Sequence, residues 1–376
     1  MQQMSVTRRD FIYKGTAIGV GVVSGSGSNE TNTQIQRKAP VDVRGALYLP
    51  ARDFNFYQMW ANYSPQVIER DLGYAARLNL NAIRTWVSYE FWLENRQEHQ
   101  EAIDHFLTSA SNKNIKVLFS LFENVGTKPT HENLTNTNPR TAPPVRSPSL
   151  NVIQNPNQWT QPRRFVQWFM NRYRDDKRLL AIEVMNEPGW RKDVKRFAKN
   201  MFQTLSRNRA TIPLTVGATS LINSVDYLDW GSDILQFHYN YPSSKQIFRD
   251  LLQDYRELSS KIEQPIWLTE WQKVASFGWG SSNQKVKEWF PNYSSLASLI
   301  REYNVGNFFW SLMLQPAYTL PMRRKGILNG VFHEDGAVWS LQDAREIKAM
   351  SGNHTFSGIE RKEWPSWAES IKHPQR

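Results

Sequence analysis

From residue 44 onward the chain alternates short apolar runs with amphipathic helical patterns, and this rhythm restricts the fold more than any other feature. Eight runs read as strands: 45–49, 82–86, 116–122, 181–185, 214–217, 234–238, 265–269 and 306–310. Helical stripes fall between most of them. Ser64 is placed to cap the first, Pro65 suits its opening turn, and Ile68, Leu72 and Ala76 share one face. Further stripes follow at Ile103, Phe106, Leu107 and Ala110; at Phe165, Phe169 and Tyr173; and at Val194, Phe197, Met201 and Leu205. Ile247, Leu251, Tyr255 and Leu258 mark another, then Leu296, Leu299 and Tyr303, with a last helix near Leu341 to Met350. Strand-then-helix repetition argues for parallel strands with helical crossovers. Eight such units predict a single (β/α)8 barrel over residues 41–376, a size such barrels reach as one domain.

Two stretches break the rhythm. Residues 123–158 and 313–339 form long connections after strands three and eight, on the face where barrel enzymes carry their chemistry. The tail from Ser351, with Trp364 and Trp367, is expected either to pack on the barrel base or to stay loose.

Composition removes several classes. The chain contains no cysteine, which excludes disulfides, thiolate metal sites and a cysteine nucleophile. Its seven histidines include no His-x-His, and only His238 stands at a strand end, so no metal and no organic cofactor is expected. The formal net charge is +11, yet Lys and Arg are interspersed with Asp and Glu, a pattern that does not predict nucleic-acid binding. Fifteen tryptophans fit a carbohydrate partner better, because flat aromatic faces stack on sugar rings, although core packing accounts for many of them. Oligomeric state is not legible.

The first 40 residues read as an export leader. Thr7-Arg8-Arg9-Asp10-Phe11-Ile12-Tyr13-Lys14 precedes a short apolar run to Val23 and resembles a twin-arginine signal, with one extra residue before the lysine. The run is too short for a stable membrane span. A periplasmic or extracellular location is therefore expected.

The reactive side chains fall at strand ends. Strand four runs into Asn186-Glu187-Pro188 and strand seven into Thr269-Glu270-Trp271. These strands lie across the barrel from one another, so the carboxyls can face across its mouth. Paired carboxyls are what glycosidic cleavage requires: one protonates the leaving oxygen, the other attacks the anomeric carbon or activates water.

These strings resemble glycoside hydrolase family 5 and its wider clan of retaining barrels. The resemblance implies Glu187 as acid/base, Glu270 as nucleophile, and Asn186 as a hydrogen-bonding partner of substrate or nucleophile. It further implies Arg84 beside the nucleophile, His238 on strand six, and Trp310 as floor of the reacting subsite. Either Tyr239 or Tyr241 is expected to approach the nucleophile, since His238-Tyr239-Asn240-Tyr241 departs from the usual His-x-Tyr. Glu123 stands where the family often has histidine, and reads equally as a sugar-binding group or a loop carboxylate. The implied activity is hydrolysis of a β-linked glycan, β-1,4-mannan or β-1,4-glucan, of endo-glycanase type, with the cutting mode left to the two long loops. A transglycosylase or a non-catalytic carbohydrate-binding barrel are the alternatives.

Overall fold

Runs of β-branched and aromatic residues bounded by turn signals do become strands, and the strands close on themselves. The computed structural model describes residues 38–276 and 286–371. The strands are β1 (Arg44–Leu47), β2 (Ala82–Trp86), β3 (Lys116–Glu123), β4 (Leu179–Asn186), β5 (Leu214–Gly217), β6 (Leu235–Tyr239), β7 (Ile266–Trp271) and β8 (Gly306–Phe309). Neighbours pair in parallel in the order β5-β4-β3-β2-β1-β8-β7-β6. A parallel bridge between Thr215 and Ile234 joins β5 to β6, and Thr215 Oγ1 donates to the Ile234 carbonyl at 2.8 Å. The fold is a single (β/α)8 barrel.

Local chemistry starts the helices. Ser64 accepts from the Val67 amide and Pro65 opens helix Pro65–Arg77, where Ala75, not Ala76, completes the buried stripe with Ile68 and Leu72. Short helices that no periodicity announced follow β1 (Phe56–Ala61) and β2 (Tyr89–Glu94). The long connections are also structured. Residues 123–158 carry helices His131–Thr135 and Leu150–Gln154, and an antiparallel pair, Gln315–Pro316 with Leu328–Asn329, lies within 313–339.

The barrel interior changes character along its axis. At the amino end Ala82, Leu118, Ala181, Ile234, Trp267 and Phe308 form an apolar plug with Ala39 and Val43. Two residues further along four of these strands, the same inward face carries Arg84, Ser120, Glu183 and Gln236, all fully buried. Registers then shift where β4 fits an extra residue between Glu183 and Asn186 against β5, and where β7 fits one after Leu268 against both β6 and β8. Without the first shift, Asn186, three residues past Glu183, would face the opposite side of the sheet.

The tail takes a position the sequence did not anticipate. Trp364 packs on Leu314, Leu328 and Trp339, and Trp367 meets Phe54 edge-on at 6.3 Å. These partners belong to the loops after β8 and β1, so the tail braces the rim at the carboxyl ends of the strands and not the base. No described helix is long and apolar enough to cross a membrane. The leader reading, residues 1–40, rests on Thr7 to Val23, which lie outside the described residues.

Candidate active site

The charged layer requires partners, because a buried guanidinium or carboxylate is costly unless paired. Arg84 meets that demand with most of its donors. Its Nε and Nη2 grip Glu183 at 2.9 and 2.8 Å, its Nη1 donates to Glu270 Oε1 at 2.9 Å, and Nη2 also reaches Asn186 Oδ1 at 2.7 Å. The guanidinium lies 4.3 Å from the centre of the Trp86 ring. Burial opposes its charge, but Glu183 and Glu270 outweigh burial and hold it protonated. Burial likewise pushes the Glu183 carboxyl up, yet the charge and hydrogen bonds of Arg84 prevail and hold it below the usual range. A Cβ on Gly217 would sit 2.6 Å from Glu183 Oε1 and 3.2 Å from Arg84 Nη2, so only glycine lets β5 approach this pair.

Glu270, one residue before the end of β7, has both oxygens held. Oε1 faces Arg84, and Oε2 accepts from Asn240 Nδ2 at 3.1 Å. Across the mouth, Glu187 adopts the left-handed backbone (φ 47°), a conformation costing roughly 1–3 kcal/mol. Hydrogen bonds hold it there: its amide donates to the Gly217 carbonyl at 2.8 Å, and Asn124 Nδ2 donates to its carbonyl at 2.8 Å. The turn aims the Glu187 carboxyl at His238, whose Nδ1 lies 2.7 Å from Glu187 Oε1 and 3.6 Å from Glu270 Oε1. Atoms of Glu187, His238 and Glu270 lie within 4.8 Å of one another. Among the described residues, this trio alone clusters three such groups closely enough to share a cation, and Arg84 already supplies a positive charge to Glu270.

Glu123, the last residue of β3, is buried and is not a solvent-facing loop carboxylate. It accepts from the Val125 amide at 2.6 Å and from Asn186 Nδ2 at 3.0 and 3.1 Å. This arrangement fixes the Asn186 amide, with oxygen toward Arg84 and nitrogen toward Glu123. Burial pushes the Glu123 carboxyl well above the ordinary range; the hydrogen bonds oppose this, and the nearby Glu187 and Glu270 reinforce it. The native state therefore keeps a proton that the unfolded chain loses above about pH 4.5, and wild-type stability falls as pH rises from there toward the raised value. Glu123→Gln removes that term. Its melting-temperature advantage over wild type should grow between pH 5 and pH 8, and a gap that stays constant with pH would contradict a protonated Glu123.

Glu123, Asn186, Glu187, Asn240 and Glu270 line a cavity of about 70 Å³ at the carboxyl ends of the strands, shared with Tyr241, Gln272, Trp310 and Tyr318. The structure brings Arg84, Asn186, Glu187, His238 and Glu270 into one hydrogen-bonded and ion-paired set, with Glu123, Tyr241 and Trp310 on the same cavity. Tyr239 departs from its expected place. One residue out of phase with His238, it stacks on Phe248 on the helical side, ring centres 6.0 Å apart, and does not line the cavity. Tyr241 does, but its hydroxyl donates to Gln272 Oε1 at 2.7 Å, and Asn240 is what holds the nucleophile candidate. Sequence reasoning missed Asn240, Tyr318 and Glu183. For Glu183 a signal existed: a carboxylate in the middle of an apolar strand needs a buried cation.

No protein-family model matches the chain, and no curated protein does. Solved structures share its fold. The endo-1,4-β-mannanase of Rhizomucor miehei superposes with a TM-score of 0.56 at 13% identity, over 85% of this chain and 99% of that one. The hyperthermostable endo-1,4-β-D-mannanase of Thermotoga petrophila RKU-1 gives 0.53 at 13%, over 83% and 99%. The exo-β-1,4-mannosidase of Opitutaceae bacterium strain TAV5 gives 0.60 at 14%, over 86% of this chain and 62% of that one. At such identities the likeness establishes the barrel.

Proposed function

We propose that this protein is a retaining glycoside hydrolase acting on a β-linked glycan, with mannan or glucan as the favoured class. The observation that carries the reading is the approach of the Glu187 and Glu270 carboxyl oxygens to within 4.8 Å. Direct attack by one carboxylate needs a separation of about 5–5.5 Å, whereas inversion needs room for a water at about 6.5–9.5 Å. The mannan-directed enzymes among the structural neighbours support the substrate class.

In this reading Glu270, ionised beside Arg84, attacks the anomeric carbon while Glu187 gives its proton to the departing glycosidic oxygen. The C–O bond to the leaving sugar breaks as the bond to Glu270 forms. Glu187, now a carboxylate, takes a proton from water, and the resulting hydroxide equivalent displaces Glu270 with a second inversion, so the configuration is retained. Arg84 and Asn240 keep the Glu270 carboxylate in one orientation, and His238 restrains Glu187 until the substrate arrives. The twin-arginine-like leader suits action outside the cytoplasm.

The test is a screen against mannan, glucomannan, cellulose, xylan and mixed-linkage glucan, with the anomeric configuration of fresh product read by NMR. A β-product agrees with the proposal; an α-product refutes the nucleophile role of Glu270. Glu187→Gln should lower turnover of a cut glycan by roughly 10²–10⁴-fold, the range for a lost general acid. Formation of the glycosyl-enzyme from a dinitrophenyl glycoside, whose leaving group needs no proton, should be spared. Equal loss on both substrates would assign Glu187 a different role.

A further inference from the structure

The two ends of the cavity differ. Its far side, under the loops after β1, β2 and β8, is closed by rings. Phe56 stacks on Trp86 with centres 4.3 Å apart and planes 20° from parallel, Tyr318 lies 6.2 Å from Phe56, and Trp310 lies 5.3 Å from Tyr318. All four are buried. Beyond Phe56 and Trp86, among the described residues, lies a space of about 10 Å³, enough for one water.

The loops carrying this barrier are bolted together. Arg323, 1% exposed, donates Nε to Ala317 O (2.9 Å), Nη2 to Tyr318 O (2.8 Å), and Nη1 to Pro139 O (3.2 Å) and Ala142 O (2.6 Å). One guanidinium thus ties residues 313–339 to residues 123–158. Gln58, in the helix after β1, donates to the Leu134 and Asn136 carbonyls at 2.9 Å each, tying the loop after β1 to the same segment. Breaking the clasp would strand buried carbonyls, so it is a fixed wall. On the opposite rim, after β4 and β5, Trp190 and Ile222 are 59% and 55% exposed, and Glu187 itself reaches solvent there.

Chemistry orients a substrate on this asymmetry. The ring being attacked sits over Glu270 and Trp310, and the leaving sugar lies beyond the proton donor, toward Trp190. We propose that the glycone end is blind after one sugar, so that the enzyme seats the non-reducing terminus of its glycan and releases one monosaccharide per hydrolysis. This rests on the hydrolase reading above, and it departs from the endo-type action implied by the sequence resemblance.

The test takes the hexasaccharide of whichever glycan is cut in the screen, tagged at its reducing end with 2-aminobenzamide, and follows the earliest products of the full chain by mass spectrometry. A glycan cut in that screen establishes hydrolysis, so the product pattern judges this inference separately; a screen with no cleavage overturns both. Untagged monosaccharide and tagged pentasaccharide as the first products are expected. Tagged mono-, di-, tri- or tetrasaccharide as a major product at the earliest time would overturn the blind end. Phe56→Ala, if its circular dichroism matches wild type, should convert tagged tetrasaccharide from a trace into a major first product. A folded Phe56→Ala variant with unchanged products would show that the rings are not the barrier.

Discussion

Glu270→Gly should lose activity by roughly 10⁴- to 10⁶-fold, the scale expected when a covalent nucleophile is removed. The space left by the side chain lies beside Arg84 Nη1 and Asn240 Nδ2, two donors that held the missing carboxylate. Added formate or azide should occupy it and restore part of the turnover on an activated β-glycoside. With azide the product should be the α-glycosyl azide, because a single displacement from that side inverts the anomeric centre. Three results bear on the nucleophile together: the loss, the rescue and the inverted product. A variant that keeps ordinary turnover, or one rescued to a β-azide, would remove Glu270 from that role.

Arg84→Met should be the most damaging substitution for stability. It leaves Glu183 fully buried without the charge that holds it ionised, and breaking such a pair costs about 3–5 kcal/mol. The sign of the pH dependence follows. A carboxyl held below its ordinary value of 4.5 contributes stability above that pH, and the contribution is lost as pH falls through the depressed value. Wild type should therefore weaken on acidification below about pH 4.5, while Arg84→Met should lack this component. Adding Glu183→Gln to Arg84→Met should recover much of the stability and none of the activity, since Glu270 still lacks its cation. Urea unfolding across pH measures all three proteins; an Arg84→Met midpoint equal to wild type would show that the pair carries no net stability.

The barrel was legible because its signals are local. Strand runs, the Ser64 cap and the helical stripes each occupy a few consecutive residues, and eight repetitions leave little choice of topology. Asn186, Glu187 and Glu270 were legible for a related reason: strand ends are defined by the same pattern that defines strands. What escaped depends on phase or on distant loops. Tyr239 and Tyr241 lie two residues apart, so strict alternation gives them one face, yet the chain leaves β6 at Tyr239 and separates them. The barrier of Phe56, Trp86, Trp310 and Tyr318 draws on three segments separated by more than 200 residues at its widest, and Arg323 crosses 181 residues to reach Ala142. No periodicity records such contacts. Glu123 was undecided because burial, which separates a sugar-binding acid from a surface one, is a tertiary property.

The shifts of register on β4 and β7 divide each of these strands into two reading frames. Below the shift, alternation serves the apolar plug; above it, a different phase presents Asn186 and Glu270 to the mouth. A deletion of one residue within the β4 shift would restore regular pairing with β5 and leave Asn186 on the inward face, but it would slip β4 against β3 and draw Asn186 off Glu123. Substitutions in the plug leave the upper frame untouched. The lower half of this protein can therefore exchange one apolar side chain for another of like volume, by drift or by design, while the upper half keeps its meaning.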